Sequence, residues 1–93
     1  MYKLHEFTSA EEVLLDNGYD DVIIFKNPSY DTALVGVSEN NRAIYSYDKM
    51  IDYLMNYEDM TEDEACDFIC YNQSFYYGEN YPIIMYDIVK TIN

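Results

Sequence analysis

Thr32-Ala33-Leu34-Val35-Gly36-Val37-Ser38-Glu39-Asn40-Asn41-Arg42-Ala43-Ile44-Tyr45 decides the fold class. Two short runs rich in β-branched, aliphatic and aromatic residues flank Glu39-Asn40-Asn41, whose side chains favour turns. The stretch predicts a hairpin with strands over 32–37 and 42–45. Gly36, inside the first strand, marks a bulge or a close approach of backbone.

Downstream the period changes from strand to helix. Tyr47, Met50, Ile51, Leu54 and Met55 recur at helical spacing and predict an apolar stripe on a helix over 47–57. Lys49, Asp52, Tyr53 and Asn56 fall on its opposite side. Thr61-Glu62-Asp63-Glu64 has the form of a capping box, with acids in the first turn, where the helix dipole favours them. In the helix it opens, Ala65, Phe68, Ile69 and Asn72 share one face. Asp63, Glu64, Asp67 and Tyr71 share the other. Residues 73–82 read as an aromatic loop containing Gly78, and Ile83-Ile84-Met85-Tyr86 as a closing strand.

Upstream, Ser9-Ala10-Glu11-Glu12 is a second capping box, opening a helix over 10–16 that ends at Asn17-Gly18. Val22-Ile23-Ile24-Phe25, between Asp20-Asp21 and Asn27-Pro28, reads as a further strand. The order is therefore α-β-β-β-α-α-β. This is an α+β fold, with helices on one face of a small, mainly antiparallel sheet. Residues 1–93 fit a single domain.

Composition and charge narrow the function. Hydrophobic residues make up 49% and charged residues 25%, a globular balance. The 18 acidic residues against five basic ones give a net charge of −13. No basic residue stands between Lys49 and Lys90, whereas Asp52, Glu58, Asp59, Glu62, Asp63, Glu64, Asp67, Glu79 and Asp87 all do. Such a surface repels nucleic acid and anionic membranes and attracts basic protein grooves. No apolar run has the length of a membrane span, and no basic-then-apolar leader opens the chain. A cytoplasmic location follows as the expectation.

Catalytic and cofactor patterns are missing. The sequence has no glycine-rich phosphate loop, no serine nucleophile elbow and no His-Glu-x-x-His. Residues 59–67 lack the central glycine and alternating ligands of a calcium loop. Cys66 and Cys70, with a distant His5, fall short of a zinc site and read as reduced residues at a helix flank. No enzyme activity, cofactor or metal is expected. Arg42, the only arginine, is expected to neutralise carboxylates across the hairpin or to touch a partner.

Several of these segments together resemble a known family. They are Asp31-Thr32-Ala33-Leu34-Val35-Gly36-Val37, Arg42-Ala43-Ile44-Tyr45-Ser46-Tyr47-Asp48-Lys49-Met50, Met60-Thr61-Glu62-Asp63-Glu64-Ala65, Phe68-Ile69-Cys70-Tyr71-Asn72 and Pro82-Ile83-Ile84-Met85-Tyr86. The family comprises small acidic proteins found on phages, prophages and other mobile elements of Firmicutes and gut bacteria. The resemblance spans about residues 31–88 and carries no functional residues with it. What it implies is a setting, in which short acidic proteins often inhibit host defence as anti-CRISPR or anti-restriction factors.

Setting and charge combine into an expectation of function. The chain is expected to be a non-enzymatic inhibitor whose carboxylates mimic DNA in the basic groove of a nuclease or effector. The candidate contact residues are Asp52, Tyr53, Glu58, Asp59, Glu62, Asp63, Glu64, Asp67 and Tyr71. Two alternatives stand beside it: an acidic interaction module acting on a host or phage-assembly factor, and a tyrosine-rich self-associating structural protein.

Overall fold

The structure, a computed structural model, describes residues 9–73 and 80–89. His5 and the loop positions 74–79 lie outside the described residues. In chain order the elements are α1 (Ala10–Asp16), a 3-10 turn (Asp31–Ala33), β1 (Leu34–Val37), β2 (Ala43–Ser46), α2 (Tyr47–Tyr57), α3 (Glu62–Gln73) and β3 (Ile83–Met85). The fold is a small α+β one.

Helix α1 starts and stops where its sequence dictates. Ser9 Oγ accepts the Glu12 N–H at 3.1 Å. At the other end Gly18 takes φ +89°, a region open to glycine, while its N–H donates to Leu15 O and the Tyr19 N–H to Leu14 O. Asp31 fastens this helix to the rest of the molecule. Its Oδ1 accepts the Ala10 N–H at 2.8 Å and its Oδ2 accepts the Ser29 hydroxyl at 2.8 Å.

The hairpin forms as expected, with β1 and β2 antiparallel. Its turn closes through Ser38 N–H to Arg42 O at 2.8 Å and Asn41 N–H to Ser38 O at 3.0 Å. Asn41 sits at φ +63°, which asparagine tolerates better than most residues. The register slips between Leu34 and Gly36, so Gly36 marks a bulge. Close packing is not its reason, since no atom lies within 4 Å of where a Cβ would stand.

Two sequence expectations are corrected here. Residues 22–25 form no strand; they run as irregular chain that inserts Phe25 into the core. A short β-branched run needs a free sheet edge to pair with, and this one packs by its side chains instead. The sheet is also mixed, in the order β1-β2-β3, because β3 pairs with β2 in parallel. The cause is topological. α2 and α3 intervene between the two strands and form the crossover that a parallel pair requires.

The core gathers Phe25, Tyr30, Ala33, Tyr45, Met50, Ile51, Tyr53, Leu54, Ala65 and Ile69 around the inner face of α2. Aromatic rings dominate it. Phe25 meets Tyr45 at 4.7 Å and Tyr30 at 5.4 Å between centroids, and Tyr30 meets Tyr53 at 5.5 Å. Such tilted and edge-on contacts suit the ring quadrupoles.

Ser46 ties three elements together. It is fully buried, its Oγ accepts the Lys49 N–H at 3.2 Å to cap α2, and its hydroxyl donates to Asp87 Oδ1 at 2.8 Å beyond β3. Ser46→Ala removes both bonds and should destabilise the fold by about 1–3 kcal/mol. A lower urea midpoint at constant m-value is the expected readout. An unchanged midpoint would show that neither bond contributes.

Candidate functional site

The acidic segment is built at the junction of α2 and α3. Helix α2 ends at Glu58, whose N–H donates to Leu54 O at 3.0 Å, and Asp59 follows at φ +59°. Aspartate is among the few residues other than glycine that enter this left-handed region readily. Its conformation turns the chain so that Thr61 can open α3. The Thr61 N–H donates to Glu64 Oε1 at 2.9 Å and the Glu64 N–H to Thr61 Oγ1 at 3.2 Å, completing the reciprocal capping box.

These caps shape a shallow groove between the turn and the outer side of α3, open to solvent over most of its extent, with about 910 Å³ of space above it. Glu58, Asp59, Glu64 and Asp67 supply its carboxylates, and Met60, Phe68, Cys70 and Tyr71 its less polar lining. Met60 and Phe68 are half-buried and lean on the core, whereas Tyr71 is 72% exposed. The three other cavities described are smaller, and the crevice beside Phe25, Pro28 and Ile84 holds only about 20 Å³.

Most sequence-predicted contact residues reach the surface, but they do not form one cluster. Glu58, Asp59, Glu64, Asp67 and Tyr71 converge on the groove. Glu62 and Asp63 are exposed on the first turn of α3 outside its lining, and Asp52 is exposed on α2, also outside it. Tyr53 is a correction. It is only 9% exposed, packs with tilted ring contacts against Tyr30 and Tyr57, and its hydroxyl shares a hydrogen bond of 3.2 Å with Ser29. The buried side of α2 is wider than the expected stripe and rotated toward Tyr53, leaving Met55 40% exposed. Tyrosine satisfies either side of a helix, having an apolar ring and a polar tip, so spacing alone misplaced it.

Sequence reasoning also missed the groove floor. Met60 lies in the turn between helices, and Phe68 belongs to the face expected to serve only the core. The available signal was the interleaving of apolar Met60, Phe68 and Tyr71 with carboxylates along one segment.

Arg42 has a structural role. Its Nε–H donates to the Tyr81 carbonyl at 2.9 Å, fastening the hairpin to the segment that leads into β3. The cysteines are free thiols, Cys66 half-buried and Cys70 exposed. A side-chain hydrogen bond with Cys66 is the main reason the Tyr47 phenol is pushed up to about 12, with burial adding to it. Among the described residues, no three His, Cys, Asp or Glu side chains are placed to hold a metal ion. No helix among them is long and apolar enough to cross a membrane.

Cys66 lies outside the groove lining and Cys70 contributes only a small side chain to it, which Ser nearly matches in size, so replacing both by Ser should leave partner binding within about threefold. The expected stability loss is about 1 kcal/mol, from the half-buried Cys66. Stoichiometric zinc in the purified protein, or abolished binding by the double variant, would refute this.

Compared with protein-family models, with curated proteins and with solved structures, the chain matches none of them.

Proposed function

We propose that this chain is a non-catalytic binding protein of a phage or mobile element that occupies the basic nucleic-acid groove of a host defence protein in the bacterial cytoplasm. The observation that carries this is the series of carboxylates Glu58, Asp59, Glu62, Asp63, Glu64 and Asp67 along the α2–α3 turn and α3. All six are exposed, in a stretch where no lysine or arginine occurs. Nothing in their own segment neutralises them, so a partner's cations gain by approaching.

The total negative charge supports mimicry. Duplex DNA carries one charge per ~1.7 Å of axis, so a net −13 matches about 22 Å of duplex. The longest dimension of the molecule is 38 Å, so its net charge is spread at a little over half the linear density of the duplex. Carboxylates on α3 can then face the Lys and Arg side chains that otherwise hold phosphates.

The test is affinity capture from a host lysate, followed by competition with duplex DNA. A captured basic nucleic-acid-binding protein that DNA displaces, with affinity falling as salt rises, is the expected result. A captured partner that binds DNA and this protein at the same time would overturn the mimicry.

A further inference from the structure

The groove between the α2–α3 turn and α3 differs from a purely charged surface, because its floor is apolar. We infer that it is a docking site for a basic amphipathic helical segment of the partner, one whose apolar side chains enter the groove while its Lys and Arg side chains reach the rim. This inference rests on the reading of the chain as a binding protein and specifies the partner's chemistry at one place.

Four observations lead there. Met60 and Phe68 are half-buried against the core, so the floor they present is held in place by packing. Tyr71 stands at the same groove with 72% of its surface exposed, a large ring with a polar tip of the kind that anchors interfaces. Glu58 and Asp59 on the turn, with Glu64 and Asp67 on α3, bring negative charge to that floor. The chain from residue 50 to residue 89 contains no cation to answer it.

Charge complementarity and the floor together select the occupant. A nucleic acid is repelled by four carboxylates. A metal ion or a small polyamine would leave Met60, Phe68 and Tyr71 in water. A neutral apolar peptide would leave the rim charges unpaired and partly desolvated, which is costly. A helix with apolar residues at i, i+3 and i+4 and cations flanking them satisfies both parts of the groove.

The probes are two synthetic peptides of identical Leu and Lys composition, one sequenced as an amphipathic helix and one scrambled. Binding is followed by calorimetry and by shifts of the amide resonances of residues 58–71. The amphipathic peptide should bind at least about tenfold more tightly than the scrambled one. Tyr71→Ala should remove most of that preference, with a thermal scan confirming that the variant is folded. Asp67→Asn should weaken both peptides.

Equal binding of the two peptides, or a preference that survives Tyr71→Ala, overturns the groove assignment and leaves simple charge capture standing. Binding of neither peptide also overturns it, and the lysate capture then decides the proposed function separately. Resonance shifts confined to residues outside 58–71 overturn it as well.

Discussion

Between pH 10 and pH 12 the fold should lose about 2–3 kcal/mol of stability through Tyr45 alone. Tyr45 lies on β2 with its ring fully buried, and burial is the main reason its phenol is pushed up from 10.0 to about 12. The Phe25 N–H, donating to the phenol oxygen at 3.3 Å, offsets part of this, and the negative charge of Asp31 adds to it. The sign follows from proton counting. Above pH 10 the unfolded chain releases this proton while the folded state still holds it, so the stabilisation is complete below pH 10. It disappears as the pH rises through 12. Urea unfolding across this range should therefore show a steep decline. Tyr45→Phe should remove the share of the decline due to Tyr45 and leave that due to Tyr47, at a cost of about 1–2 kcal/mol because the Phe25 N–H loses its acceptor. A stability difference between parent and variant that is equal at both ends of the range would exclude the buried phenol as the cause.

The same residue shows what could be read in the sequence. Tyr45 falls on the second hairpin strand in sequence and structure alike because turn chemistry and strand composition are local properties, fixed within about ten residues. The caps at Ser9 and at Thr61 were legible for the same reason, each being a hydrogen bond between near neighbours. The failures are all non-local. Whether 22–25 pairs as a strand depends on whether the fold brings it alongside β1 or β3, the two edge strands of the sheet. The direction of β3 depends on the path taken by two helices. Tyr53 depends on whether Ser29 and Tyr30 are close enough to receive its hydroxyl and ring.

For the site, the charge was legible and the relief was not. Composition locates the carboxylates of 58–67, because six acids in ten residues with no base among them need no partner to be recognised. The groove arises only when the left-handed turn at Asp59 sets Met60 beside Phe68, and that is a tertiary event. An electrostatic surface can thus be proposed from a sequence, while the apolar contacts that would give it specificity require the fold.

Charge reversal at Asp63 and Asp67 should weaken partner association by about ten- to a hundredfold at low salt, the equivalent of ~1.4–2.7 kcal/mol. The two residues stand one turn apart on the exposed side of α3, and only Asp67 lines the groove. Asp63→Lys/Asp67→Lys replaces two attractions to a basic partner by two repulsions, and neither side chain serves the core. Asp63 does lie in the first turn of α3, so its reversal should also cost about 0.3–1 kcal/mol through the helix dipole. Asp67→Lys alone avoids that cost and isolates the contact at the groove. Screening acts on charges exposed to solvent, so the parent's affinity should fall more steeply with salt than the double variant's, and the two should approach each other at high salt. The decisive measurement is the affinity of parent, single and double variants for the captured partner at two salt concentrations, with thermal midpoints confirming that each is folded. Equal affinities with equal salt dependence would show that α3 is not the surface that meets the partner. A loss carried by Asp63 alone would move the contact from the groove to the start of the helix.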